Sequence, residues 1–203
     1  MSIPVLKKSY ILPDIDIKEV LRYASSSASD RESTELLSEC IEEASGKFRA
    51  DVCYTETELN EKCGILDFVH FKTPSDTLKK NLSGCTGGII FCATVGFEID
   101  RLIQKYSVLS PARALMFQAL GAERIEALAD AFSLDIRNEK QKNGLLTKPR
   151  VSPGYGDISL ELQRDIFRIL GCEKRIGLTL NGTLTMSPTK SVSAFIGIYR
   201  KTE

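Results

Sequence analysis

An α+β fold with a largely antiparallel, twisted sheet flanked by helices is the architecture this sequence predicts, on three observations. Helical and strand-like segments arrive in mixed groups, which fits a doubly wound parallel sheet poorly. A strand–turn–strand signature surrounds Asn181-Gly182, a dipeptide that tolerates the positive φ of tight hairpins. The run Gly88–Gly96 (GIIFCATVG) is apolar, β-branched and short, as a central strand should be.

Taken in order, Asp16–Tyr23 and Asp30–Ala44 read as amphipathic helices. The second carries Leu36, Leu37, Cys40, Ile41 and Ala44 on one stripe with Gly46 just past its end, so the pair is expected to cover one side of a sheet. From Ala50 the pattern changes to a strand, with Val52 and Tyr54 alternating against Thr and Cys, and Ile65–Phe71 gives a second β-rich run containing Asp67 and His70. Ser75 caps a short helix that ends at Gly84. The glycine-rich run Ser83–Gly88 precedes a strand, whereas a dinucleotide loop follows one and opens a helix, so it reads as a tight turn. After the central strand comes a helix over about Phe97–Tyr106. A longer one opens at Ser110-Pro111, the N-cap and first-turn proline order, and runs to about Lys142. Lys140–Pro149 is a basic, turn-forming connector, and Ser159 is expected to cap a helix ending at Gly171. Ile176–Leu180 and Leu184–Met186 flank the Asn-Gly turn, and Ser191–Tyr199 closes the chain as a final strand.

The 203 residues are 42% hydrophobic and 27% charged, with 27 basic and 27 acidic side chains. That is one soluble domain with at most a modest appendage, and an even charge balance supplies no long-range field for nucleic acid or an anionic membrane. The longest uncharged stretch, Asn81–Phe97, holds four glycines and falls short of the ~20 apolar residues a spanning helix needs. Acidic residues follow Lys7 and Lys8 too soon for a secretory signal, so the expected location is the cytoplasm. No two of the six cysteines (Cys40, Cys53, Cys63, Cys85, Cys92, Cys172) are separated by only two residues, and there is one histidine, so buried thiols are expected before disulfides or a metal site. The lone His70 reads as structural.

The densest local signal is Pro149-Arg150-Val151-Ser152-Pro153-Gly154-Tyr155-Gly156-Asp157. Its prolines and glycines fix an irregular backbone around an arginine, whose planar fork suits a carboxylate, and a tyrosine, whose face suits a cation. The residue types alone allow an ordinary connecting turn with solvated Arg150 equally well. Glu126 and Asp130, spaced i and i+4 in an otherwise apolar helical stretch, raise each other's pKa unless a cation sits between them; a solvated acidic stripe is the alternative. Asp67, between Leu66 and Phe68, carries the same ambiguity.

The order Arg150-Val151-Ser152-Pro153-Gly154-Tyr155, Ile176-Gly177-Leu178-Thr179-Leu180, Met186-Ser187-Pro188 and Ser191-Val192-Ser193-Ala194 resembles the S-adenosylmethionine-binding activation domain of cobalamin-dependent methionine synthase. Ala93-Thr94-Val95-Gly96 and the Glu126 helix also fit, so the resemblance runs from about Asp67 onward. It implies an activation domain over 49–203, with 1–48 a helical segment packed on it. It further implies binding of S-adenosylmethionine, Arg150 on the ligand carboxylate, Tyr155 by the sulfonium and the cobalamin face, Glu126 on the α-ammonium, Gly154 beside the ligand and Asp67 as a weaker fourth match. The chain itself is assigned no catalytic residue and no metal.

The activity implied is reductive methylation of cobalamin, with methylcobalamin as product. The cobalamin is held by a partner methionine synthase or another corrinoid protein, and electrons come from a flavodoxin-like donor. The homocysteine, folate and cobalamin modules of the large enzyme do not fit into 203 residues, so action in trans is expected. Gly156-Asp157 follows the tyrosine where the long form carries another proline. Reactivation of a different corrinoid methyltransferase, and a non-catalytic S-adenosylmethionine-sensing module, are the competing readings. A radical enzyme is disfavoured, because a cubane cluster needs three closely spaced cysteines.

Overall fold

The computed structural model describes residues 4–27 and 30–200. Along the chain, β1 (Leu6–Ser9), α1 (Ile17–Tyr23) and α2 (Arg31–Ala44) lead into β2 (Asp51–Glu58). Three short strands, β3 (Asn60–Lys62), β4 (Ile65–Asp67) and β5 (Lys72–Thr73), and α3 (Asp76–Asn81) precede β6 (Gly87–Thr94). Then come α4 (Glu98–Leu109), α5 (Pro111–Gln141), β7 (Leu146–Thr147), α6 (Leu162–Leu170) and α7 (Cys172–Ile176). A small hairpin of β8 (Thr179–Leu180) and β9 (Met186–Ser187) and the long β10 (Ser191–Tyr199) end it.

The principal sheet has five strands in the order β1-β2-β6-β10-β7, each pair antiparallel, so the predicted α+β class with a largely antiparallel sheet is what the chain adopts. Period-two alternation sorts its side chains between two layers. Val52 and Tyr54, Ile89, Phe91 and Ala93, and Ala194, Ile196 and Ile198 face a core completed by α1, α2, α4 and α5. Cys53, Ile90, Cys92 and Phe195 face the other, built with α3, α6 and α7. Burial on both faces explains why the Gly88–Gly96 run is apolar apart from Thr94. Phe132 of α5 centres the first layer, its ring 4.7 Å from Phe91, 5.1 Å from Tyr54 and 6.4 Å from Tyr10. No helix among the described residues is long and apolar enough to cross a membrane.

Capping chemistry sets several boundaries. Asp16 accepts from the Glu19 amide at 3.1 Å and Ser75 from that of Leu78 at 3.1 Å, while Ser110 caps α5 just before Pro111. Buried Arg124, ion-paired with neighbouring Glu123, donates to the carbonyls of Pro13 (2.6 Å) and Asp14 (3.1 Å), and Glu123 accepts from the Asp16 amide at 3.2 Å. A buried charge pair is tolerable only when its remaining hydrogen-bonding capacity is used, and here that capacity holds residues 13–16 against the middle of α5.

Four sequence expectations need correcting. The Ile65–Phe71 run stops being a strand at Asp67, whose carboxylate accepts from the Val69 amide at 2.9 Å, turning Val69 to φ +72° and placing His70 in a turn. The helix expected to start at Ser159 starts at Leu162, because residues 159–161 form tighter turns in which the Leu162 amide bonds the Ser159 carbonyl. Its end at Gly171 is as expected, with φ +58° there. Ile176 closes α7 and is not a strand residue, and the hairpin loop takes its positive φ at Leu184. Asn181 is occupied differently, its side-chain oxygen accepting from the Thr183 and Thr185 amides. Finally, not all six thiols are buried: Cys40, Cys53, Cys92 and Cys172 are, Cys85 is half-buried and Cys63 is exposed. Burial pushes the Cys40 thiol up to about 11, the inert behaviour expected of a packed cysteine.

Candidate functional site

The Pro149–Asp157 segment owes its position to the free edge of β10. β7 pairs with the end of β10, and the chain then continues along it: the Lys148 amide donates to the Gly197 carbonyl at 2.9 Å, and Val151 and Phe195 exchange bonds at 3.0 and 2.8 Å. An outermost strand accommodates Pro149, which has no amide to donate. Arg150 lies between these anchor points, and its side chain reaches α5.

There it finds both acids that the sequence singles out. Nη1 of Arg150 pairs with Asp130 and Nη2 with Glu126, so the cation that relieves the two carboxylates is the motif's own arginine. Burial opposes the Arg150 charge, but hydrogen bonding and attraction to Asp130 and Glu126 outweigh it and hold the guanidinium above its ordinary pKa. The Arg150 side chain is 23% exposed.

These residues form one wall of an open cleft of about 910 Å³, within the size range of small-molecule sites. α5 contributes Glu126, Asp130, Ser133, Leu134 and Arg137; the edge segment contributes Thr147 through Ser152 and Tyr155; Val192 and Ile196 of β10 and Asn81 complete the lining. Tyr155 stands at the rim, 67% exposed. Arg137 is a lining residue that sequence reasoning missed. Its signal is present, since 126, 130, 133, 134 and 137 recur at the three- and four-residue spacing of a single helix face. Asp67 is not among the lining residues; it lies in the β3-β4-β5 sheet, paired with Lys72 at 2.9 Å.

The turn beyond Arg150 needs its glycines. Gly154 and Gly156 have φ of +88° and +60°, and a Cβ at Gly156 would lie 2.6 Å from the Thr77 hydroxyl. Asp157, where the resemblance departs from the long form, holds this turn to the start of α3. Its carboxylate accepts from the Ser75 hydroxyl at 2.6 Å and from the Asp76 and Thr77 amides at 2.8 and 3.0 Å. The Ser75 hydroxyl above all, then Thr77, holds the carboxyl well below the usual aspartate range. A carboxyl with a lowered folded-state pKa stabilises above its unfolded pKa and loses that contribution as pH falls. Asp157→Asn should therefore lower the thermal midpoint at neutral pH, and its gap to wild type should close as pH falls below about 4. Thermal unfolding measured across that range checks this; a gap independent of pH would mean that the charge plays no part.

Comparison with known proteins bears on the family and the fold. Residues 49–202 match the family model for the vitamin B12 dependent methionine synthase activation domain. Among solved structures, a crystal structure of the MetH reactivation domain bound to AdoHcy superposes with a TM-score of 0.72 at 17% identity, covering 100% of this chain and 80% of that one, a likeness of fold. No curated protein matches.

Proposed function

The chain belongs to the activation-domain family of vitamin B12 dependent methionine synthases, and from that premise we propose that it binds S-adenosylmethionine in the α5 cleft and supports reductive methylation of cobalamin held by a methionine synthase. One observation carries the reading: Arg150 and Glu126, complementary to a carboxylate and an ammonium, meet on one wall of a cleft with an exposed aromatic ring at its rim. The amino-acid end of the ligand is a zwitterion. Its carboxylate takes the Arg150 nitrogen that Glu126 releases, and its ammonium takes Glu126, so one ion pair is exchanged for two without stranding a charge. Tyr155 offers its face to the sulfonium, a cation that aromatic rings attract, and the Gly154 turn fixes the backbone beside it. Cobalamin, brought by the partner, would supply the nucleophilic metal that takes the methyl group, and the sulfonium would leave as a neutral thioether.

The work of this chain is to hold the methyl donor facing outward, where a partner can approach within reacting distance. Mixed with a cobalamin-loaded methionine synthase lacking an activation domain, S-adenosylmethionine and a flavodoxin-like donor or chemical reductant, it should produce methylcobalamin, seen in the corrin absorption spectrum. Neither protein should do so alone. Tyr155→Ala should slow this step more than it weakens ligand binding, since the ring shapes the methyl-facing side. Methylation only with another corrinoid protein would redirect the assignment to that partner; methylation with none, while the ligand binds, would favour a sensing role.

A further inference from the structure

We propose that Asp157 is a positioning residue for the methyl-transfer step, tying two parts of the cleft lining, Tyr155 and Asn81, into one body; the inference rests on the reading above. The Tyr155 ring does not fix its own place. It is 67% exposed, and among the described residues its side chain makes no hydrogen bond and no ring contact. Its place on the rim is therefore set by the backbone. Three bonds inside the turn fix its shape: the Gly154 amide donates to the Ile158 carbonyl at 2.8 Å, the Tyr155 amide to that of Ser152 at 3.2 Å and the Ile158 amide to that of Tyr155 at 3.1 Å. Where that shape sits on the molecule is decided by its anchor points.

At one end Val151 is paired with Phe195, and at the other Ile158 is buried in the second core layer. Two fixed points leave a turn free to rotate about the line between them, and Gly154 and Gly156, both in the left-handed region, resist that rotation least. Asp157 supplies the third point. Its carboxylate takes the Ser75 hydroxyl and the Asp76 and Thr77 amides, and it draws the turn so close to α3 that a Cβ at Gly156 would collide with Thr77. Thr77 passes the constraint on. Its carbonyl accepts from the Asn81 side-chain amide at 2.9 Å, at the far end of the same short helix, and Asn81 and Tyr155 both line the cleft. Displacements of about 1 Å are enough to lose a reactive geometry, so this tether acts on the transfer step ahead of the affinity that Arg150 and Glu126 supply.

Fluorine NMR on chains labelled with meta-fluorotyrosine, combined with ligand calorimetry and the methylcobalamin assay at saturating S-adenosylmethionine, tests the proposal. The Tyr155 resonance is assigned by its loss in Tyr155→Phe. In Asp157→Asn it should shift or split while the resonances of the other tyrosines hold. The methylation rate in that variant should fall about tenfold, with the dissociation constant changed by less than about twofold. Asp157→Glu, which keeps the acceptors on a longer stem, should recover part of the rate. Leu37→Ala opens a cavity under α2 in the first core layer, so it destabilises the fold away from the turn and should leave the Tyr155 resonance and the rate as in wild type. An unmoved Tyr155 resonance in Asp157→Asn, or a loss of affinity as large as the loss of rate, would overturn the inference and leave the functional reading standing. Absence of methylation by wild type with any corrinoid partner would remove both.

Discussion

Arg150→Ala should raise the dissociation constant for S-adenosylmethionine by about 30- to 1,000-fold, the equivalent of about 2–4 kcal/mol for a desolvated, hydrogen-bonded charge pair. The loss has two parts. The ligand carboxylate loses its fork, and Glu126 and Asp130, four residues apart on one helix face, are left facing it without the cation that now separates them. Arg150→Lys should recover only part of the affinity, since an ammonium is a point charge and cannot serve two carboxylates with a planar fork. Titration calorimetry on the three proteins decides it. Equal affinities would remove Arg150 as the carboxylate anchor.

The largest effect on stability is expected from Phe132→Ala, about 3–5 kcal/mol in chemical denaturation, with the midpoint shifted and the slope unchanged. Phe132 is fully buried and packs against Tyr10, Tyr54 and Phe91, rings contributed by the N-terminal segment, β2 and β6. A cavity there loosens α5 from the sheet, two residues along the helix from Asp130 and six from Glu126. A cost below 1 kcal/mol would mean that the layer can collapse around the gap.

What the sequence made legible was whatever local chemistry dictates. Ser110-Pro111 opens α5, Ser75 caps α3 and Gly171 ends α6 as expected, because caps and left-handed glycines act within one turn. The strands β6 and β10 were legible too, being long and almost wholly apolar on the faces they bury. The short strands β1, β3, β5 and β7 were not, since two to four residues carry no periodicity and their conformation is imposed by the neighbour they pair with. The site divides in the same way. Arg150, Glu126 and Asp130 stood out by type and spacing, but nothing local could say that an arginine 20 and 24 residues away would close on both acids. That meeting depends on the pairing of residues 148–151 with the edge of β10, a contact between distant parts of the chain.

The short β1 has a consequence for how the protein can be divided. The family match begins at residue 49, two residues before β2, whereas β1 pairs with β2 over Leu6–Ser9 and Asp51–Tyr54. A fragment begun at residue 49 would strip that partner away and turn β2 into a bare rim of unsatisfied amides and carbonyls, a template on which other chains can add strands. The native ribbon closes the rim with Lys7 and Lys8, charges of the kind that discourage sheets from stacking edge to edge. Those four residues thus act as a guard against self-association, and that protection comes from outside the stretch by which the family is recognised.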